Sequence, residues 1–517
     1  VDRLLNMPSL ESHENGRKPW RSMAELAGAP EFRALLEAEF PKEADPQGIN
    51  RRRWLQLMGA SLALAGTSGC RWEKEEIMPF AERPERRTAG LPERYATAMD
   101  LAGAAIGLLV TAFDGRPIKI EGNPLHPQSL GATDSLAQAA ILGLYDPDRS
   151  RQVFHRQPGS RETAADWERF EAFFREHFGG LRETKGAGFA VLSDSDSSPT
   201  VARLRGQLRN AFPQASWYEY EPLSRDHERL GSIQAFGAAY RTQLRLDRAG
   251  VIACFDADLF GDHPAALAAI RQFAERRQPD ERMNRLYAIE SCYTITGAAA
   301  DHRLAIRPSE IGGFLNQLEA MVEGAEGQTP PEWKRLLEAI ADDLEGHRGG
   351  SLLVAGPSQP PEVHAAVHRL NAALDNAGQT IVYTQDPDPE RPAHFEALRA
   401  LVARMERGEV QTLLVLGGNP VYDAPADLAF AAAFSKVATR IHLSQFDNET
   451  SQAATWRLPQ AHFLEAWGDA RGFDGTYSIV QPLIEPLWGG RSKIELLAAI
   501  AGMEAPGGYD QVRETFK

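Results

Sequence analysis

Cysteine is scarce: Cys70, Cys254 and Cys292 are the three thiols in 517 residues. With no C-x-x-C pair among them, a disulfide framework and a four-cysteine iron–sulfur cluster held by this chain alone are both excluded. Long apolar runs are also missing. A membrane-spanning helix needs roughly 20 predominantly apolar residues, and the run from Leu55 to about Gly66 is much shorter before Thr67, Ser68 and Gly69 dilute it. Positive charge is in deficit, with 56 Lys and Arg against 71 Asp and Glu and a net charge of −15. That balance argues against nucleic acid or an anionic membrane as the main partner, because phosphates demand clustered cations. A basic partner such as a cytochrome is compatible with it. The sequence contains no G-x-G-x-x-G, Walker loop, H-E-x-x-H or G-x-S-x-G, so a nucleotide fingerprint, a zinc hydrolase and a serine hydrolase lack support.

What is present is a globular composition, 43% hydrophobic and 25% charged, with length for about three domains of ordinary size. Near the start, Asn50-Arg51-Arg52-Arg53-Trp54-Leu55-Gln56 runs into an apolar stretch that contains Ala63-Leu64-Ala65. A positive flank, a run of about 7–15 apolar residues and a small-residue A-x-A site make an export signal. Arg51 and Arg52 resemble the twin-arginine consensus, with Trp for the usual Phe and Gln for the usual Lys. The competing reading is a buried helix that opens on three arginines, although nothing acidic lies nearby to pair with them. Residues 1–70 form an extended leader on this reading, and its removal is left open. Cys70, after Thr67-Ser68-Gly69, is a candidate lipid acceptor or a plain free thiol; one acyl chain binds membranes only marginally.

Residues 71–94, rich in Glu, Arg and Pro, read as a linker. Over 95–160 a small β-rich unit is expected, because Gly107–Phe113 and Pro117–Ile120 flank an Asp114-Gly115 turn. Strand patterns at Gly188–Ser193, Gly250–Phe255 and Arg285–Ile289 alternate with helical spacing at Ser198–Phe212 and Pro264–Arg277. Strands at Ser351–Pro357, Thr380–Tyr383, Thr412–Leu416 and Thr439–Leu443 repeat the rhythm, with helices at Pro361–Asn376, Ala393–Arg407 and Ala424–Lys436. The expected class is α/β: two Rossmann-like doubly wound units in series, 161–322 and 349–517, joined by a charged connector over 323–348.

In such sheets ligands lie beyond the carboxyl ends of strands, which singles out Gly417-Gly418-Asn419-Pro420, whose glycines would admit a phosphate; tight packing alone explains such a turn equally well. Ser193 and Ser444 read as caps or turn formers, and Asp256, Asp258, Asp469 and Asp474 as capping or solvated groups. The histidines are scattered and offer no zinc set. Cys254 and Cys292, on or beside strands, read as buried and inert.

Three stretches together resemble the molybdopterin oxidoreductases of the dimethyl-sulfoxide-reductase type. They are Asp114-Gly115-Arg116-Pro117-Ile118-Lys119-Ile120-Glu121-Gly122-Asn123-Pro124-Leu125-His126-Pro127 with Leu144-Tyr145-Asp146-Pro147-Asp148-Arg149, the loop Gly417–Pro420, and Trp456-Arg457-Leu458-Pro459 with Phe463-Leu464-Glu465 and Trp467-Gly468. The resemblance runs from about Tyr95 to Gly502. It implies that Gly417, Gly418, Asn419 and Pro420 would line a pterin dinucleotide if one were bound. Departures are as informative. Active members carry a cysteine set before the hairpin and a last cluster cysteine where this chain has Gly131-Ala132-Thr133-Asp134. No Cys or Ser metal ligand occupies the family's usual context, and the family's C-terminal cap domain would begin about where these residues stop.

One branch of the family shares these losses and the long leader: the large iron–sulfur subunit of alternative complex III, a quinol-oxidising membrane complex. Met7–Ser12, Gly16–Ser22, Asn50–Ser61 and Glu290–Arg303 look like that subunit, in which a molybdopterin-type half without cofactor precedes a ferredoxin-like half. The branch implies no catalytic residue, no metal ligand and no cofactor in this chain, with iron–sulfur clusters in a C-terminal half or a partner subunit. Its implied partners are membrane quinol-oxidising subunits, c-type cytochrome subunits and the ferredoxin-like half, with no nucleic acid. The implied location is the periplasmic side of the bacterial inner membrane, peripheral, reached by the twin-arginine route. The expected function is a silent scaffold in a quinol-to-cytochrome c or oxidase complex. The alternatives are a catalytic molybdenum-bis(pterin) subunit and an iron–sulfur maturation chaperone.

Overall fold

The computed structural model describes residues 30, 90–157, 162–279, 283–325, 330–503 and 507–517. The chain divides into two compact units, Val1–Arg87 and Thr88–Lys517, and apart from Pro30 every described residue belongs to the second. The leader, Arg51, Arg52, Cys70 and most of the linker therefore lie outside the described residues. Among the described residues, no helix is long and apolar enough to cross a membrane.

An antiparallel meander opens the described fold: β1 (Pro92–Leu101), β2 (Ala104–Phe113) and β3 (Arg116–Gly122). Both its turns place consecutive residues at positive φ, Ala102-Gly103 and the expected Asp114-Gly115, the backbone that suits the twist of a two-residue hairpin. β1 begins inside the stretch read as linker. Its first residues alternate exposed and half-buried, so only the inner half, around Ala98 and Met99, gives a core signal.

The expected α/β class with parallel sheets is present. Strands β4 (Val153–His155), β5 (Thr163–Ala165), β6 (Phe189–Ser193) and β7 (Ser216–Glu219) share a seven-stranded sheet with β14 (Thr412–Leu416), β15 (Thr439–Ser444) and β16 (Trp456–Pro459), in the order β5-β4-β16-β15-β14-β6-β7. β7, β6, β14, β15 and β16 run parallel, and β4 and β5 add an antiparallel edge. Every residue of β6 and β14 is buried, which explains their continuous apolar runs.

A second, wholly parallel sheet is made by β9 (Val251–Phe255), β10 (Arg285–Glu290), β11 (His302–Ala305) and β12 (Ser351–Ala355), ordered β11-β10-β9-β12. The two sheets are thus interleaved rather than divided at 323–348: the chain leaves the first sheet after β7, builds the second, and returns at β14. The ladder pair β8 (Tyr240–Leu244) and β13 (Ile381–Gln385) joins the outgoing and returning segments. A hairpin of β17 (Gly468–Arg471) and β18 (Tyr477–Val480) follows. The stretch expected as a charged connector contains a helix, Pro331–Gly346, whose Leu337, Ile340, Ala341 and Leu344 are buried against the second sheet. Its charges occupy the outer face of an ordinary amphipathic helix.

Candidate functional site

β6 and β14 are neighbours, yet the chain crosses from β6 outward to β7 and from β14 the other way to β15. That reversal opens a crevice at the carboxyl ends of the two strands. A cavity of about 340 Å³ lies there, lined by Ser193 at the end of β6, Asp194 and Ser195 beyond it, Gly417 to Pro420 after β14, and Asp100, Glu221, Asp423 and Lys493. Gly417, Gly418, Asn419 and Pro420 therefore stand together where the sequence placed them. Gly417 has φ +75 and Gly418 φ +65, and a Cβ on Gly417 would come within 2.6 Å of Asp194 Oδ2. Only glycine fits this position, for backbone and space alike.

The loop is held by the protein itself. Asn419 Oδ1 accepts from the Thr450 amide (3.1 Å) and hydroxyl (2.9 Å), and Asn419 Nδ2 donates to Glu449 Oε2 at 2.6 Å. His442, fully buried, reaches Ser451 Oγ through Nδ1 (2.9 Å) and the Gly417 carbonyl through Nε2 (3.2 Å). Burial holds this imidazole neutral at pH 7, with a pKa pushed down to about 4.

The charge of the crevice is acidic. Lys493 Nζ lies 2.5 Å from Asp196 and 3.5 Å from Asp194. Burial pushes the Asp100 carboxyl up to about 6, with Asp196 adding to it, and pushes Glu221 up to about 7, with Asp194 adding. Asp194 and Asp423 are also raised by burial. One ammonium thus faces four crowded carboxyl groups, Asp100, Asp194, Asp196 and Glu221.

The same crevice opens into a cleft of about 1300 Å³ between the two parallel sheets. Arginines line it, but most are already engaged. Arg205 contacts Glu219 (2.9 Å) and Asp388 (2.8 Å), Arg225 contacts Glu228 (2.5 Å), and Arg391 contacts Asp226 (3.2 Å). Arg229 donates to the carbonyls of Asp388 and Pro389. His364 and His368 also line the cleft, and burial takes them down to about 3 and about 4.

A pterin dinucleotide is anionic through its phosphates, and the residues beside Gly417 do not suit it. The glycine loop offers backbone approach, but the cation within reach is committed to Asp194 and Asp196, and the carboxylates paired with it repel phosphate. No group of three or more His, Cys, Asp or Glu among the described residues is arranged to hold a metal ion. At the position of the family's last cluster cysteine, Gly131 takes φ +89, and Asp134 caps the helix Ser135–Tyr145 by accepting from the Ala137 amide at 2.7 Å.

The remaining expectations divide. Asp256 accepts from the Ser291 amide and hydroxyl, Asp258 from Thr296, Asp469 from Thr200, and Asp474 from Thr476, as capping groups do. Ser193 accepts from Trp217 Nε1 and Ser444 from the Phe446 amide. Cys254 is buried, but Cys292 is exposed in the turn after β10, because the strand ends two residues earlier. Sequence reasoning missed Asp100, Asp194, Glu221 and Lys493. Of these, Asp194 had a usable signal, the first residue beyond a buried strand; Asp100 and Lys493 come from opposite ends of the fold.

No protein-family model matches the chain. Over an alignment of 505 positions that covers 88% of this chain and 72% of the relative, it is 20% identical to the menaquinone reductase molybdopterin-binding-like subunit of Nitratidesulfovibrio vulgaris. In fold it is similar to acetylene hydratase from Pelobacter acetylenicus, with a TM-score of 0.58 and 13% identity over 79% of this chain and 70% of that one. In sequence the chain is thus distantly similar to a molybdopterin-binding-like subunit, and in fold it is similar to a molybdopterin-oxidoreductase-type protein.

Proposed function

We propose that the chain is a cofactor-free scaffold subunit of a membrane-associated quinone or quinol oxidoreductase, of the alternative complex III type, that passes electrons from quinol towards cytochrome c or an oxidase. The observation that carries this reading is the crevice at Gly417, where a tethered ammonium, Lys493, and acidic neighbours stand in place of phosphate-binding cations. The similarity to a subunit named as belonging to a menaquinone reductase supports the quinone connection. Iron–sulfur clusters and haem belong to partner subunits or to a ferredoxin-like half on this reading. The body lies on the periplasmic side of the inner membrane, delivered by Arg51 and Arg52. A large rigid α/β body can hold redox partners within electron-transfer reach without reacting itself.

The alternative, a catalytic molybdenum-bis(pterin) subunit, is favoured by one observation, the roughly 1300 Å³ between the sheets. Purification of the chain from detergent-solubilised membranes tests the scaffold reading. Quinol-oxidising activity is expected to co-elute with the chain in constant ratio, while the separated chain has none. Recovery of the chain alone, with the activity elsewhere, contradicts it.

A further inference from the structure

Among the cleft arginines, Arg205 and Arg229 also carry a buried unpartnered Nε but are fixed by other bonds, and Arg209 is exposed, whereas Arg241 and Arg471 combine a buried unpartnered nitrogen with weak or no pairing. Arg241 on β8 makes a single long ion pair, 3.9 Å to Asp386, and its Nη1 is buried with no hydrogen-bond partner. Arg471, the last residue of β17, forms no ion pair or side-chain hydrogen bond among the described residues, and its Nε is likewise buried and unpartnered. Both line the cleft. The segment just after Arg471 packs on the strand of Arg241, with Phe473 against the Arg241 guanidinium, and the nearby Arg471 cation helps to hold Arg241 below its usual value after burial and against the pull of Asp386. Gln243 Nε2, on the strand of Arg241, donates to the Phe473 carbonyl at 2.6 Å and so fastens the turn after Arg471 to β8. Phe473 lies under the Arg241 guanidinium (5.7 Å) and Tyr477 under that of Arg471 (5.9 Å).

Two adjacent, partly desolvated guanidinium groups without matching acceptors are costly unless an anion joins them. Their planar forks suit a group with two or more oxygen acceptors. We propose that Arg241 and Arg471 form an oxyanion-binding site in the inter-sheet cleft, taking a carboxylate or a phosphate held between the two forks. The other charges facing Arg241 are Asp386, Asp100 and Arg391. Arg391 is paired with Asp226, Asp386 accepts from the Asp388 amide, and Asp100 accepts from the Ser197 amide and hydroxyl, so none of the three completes the site. The site stands on different side chains from the acidic crevice, and its existence is independent of the scaffold role.

The test is titration of the full chain with inorganic phosphate, and separately with succinate, followed by calorimetry and by thermal midpoint, against sodium chloride at equal ionic strength. A ligand that binds the folded state raises the midpoint with its own concentration dependence. Saturable binding that weakens at least ten-fold in Arg471→Gln and in Arg241→Gln is expected, while Arg209→Gln, which removes an exposed cleft arginine, leaves it unchanged. Tighter binding of phosphate identifies a phosphate ligand, and tighter binding of succinate identifies a carboxylate such as an acidic side chain. Arg471→Lys keeps the charge and loses the fork, so it is expected to bind weakly while folded, even if the glutamine variants unfold. No effect beyond sodium chloride, or equal affinity in wild type and Arg471→Lys, overturns the proposal.

Discussion

Arg149 and Glu465, 316 positions apart, form a two-pronged ion pair in the interior: Nη2 to Oε2 at 2.6 Å and Nη1 to Oε1 at 3.0 Å, with side chains 1% and 0% exposed. Glu465 also accepts from the amides of His462 and Leu487. The pair joins the segment ending Asp146-Pro147-Asp148-Arg149 to the segment Phe463-Leu464-Glu465, two of the stretches that carried the family resemblance, and so gives them a structural reason to occur together. Replacing Glu465 by Gln or Arg149 by Met leaves an uncompensated buried charge, at a cost of about 3–5 kcal/mol, whereas the double replacement by apolar residues costs less than the sum. Urea unfolding of the single and double variants checks this non-additivity.

The same pair sets an acid limit. Burial raises the Glu465 carboxyl, but the Arg149 guanidinium and the two amides outweigh it, and the net shift is downward. A carboxyl depressed in the folded state stabilises above its unfolded value, about 4.3, and that stabilisation is lost as pH falls through the folded value. Below about pH 4.3, wild-type stability is expected to fall more steeply than that of Glu465→Gln. Parallel slopes of midpoint against pH contradict this.

Glu221 behaves in the opposite sense. Its pKa is pushed from 4.5 up to about 7 by burial, and then by Asp194. The folded state therefore binds the proton more tightly, and stability declines as pH rises from about 4.5 to about 7. Glu221→Gln, which can still accept from the Ser195 amide, is expected to be more stable than wild type at pH 8 by about 1–3 kcal/mol and equal to it at pH 4. The measurement is thermal midpoint across pH.

How much of this was legible in sequence can be judged at particular residues. The apolar runs at Phe189, Val251 and Leu413 announced fully buried strands, Asp114-Gly115 announced its hairpin, and Gly417-Gly418 announced a strand-end turn at a crevice. Strand order did not announce itself. β6 pairs with β14 across more than two hundred intervening residues, and nothing local in either strand names its neighbour. The helix Pro331–Gly346 was obscured by its charges, although Trp333, Leu337, Ile340 and Leu344 follow the spacing of a helix face. The character of the crevice depends on Asp100, Glu221 and Lys493 converging from three distant segments, which only the fold brings about.

Gly417 tests that crevice directly. Gly417→Ala carries two costs, a left-handed backbone at φ +75 and a Cβ 2.6 Å from Asp194 Oδ2. Together they are expected to cost about 1–3 kcal/mol. Adding Asp194→Ala relieves the contact and leaves the backbone cost, so the double variant is expected to recover part of the lost stability. No recovery places the whole cost in the backbone.

The cysteines offer a chemical check. Cys254 is buried and desolvation pushes its thiol far up, whereas Cys292 is exposed. Under native conditions a maleimide is expected to modify Cys292 and spare Cys254 until the chain is denatured, as read by peptide mass mapping.

The central claim is that the crevice at Gly417 carries no molybdenum or tungsten pterin. Metal content by mass spectrometry of the full chain purified in its native complex, together with assay for released pterin, tests it most directly. The account predicts neither metal and no pterin in stoichiometric amount, with any iron assigned to partners or to a ferredoxin-like half; near-stoichiometric molybdenum or tungsten with pterin contradicts it.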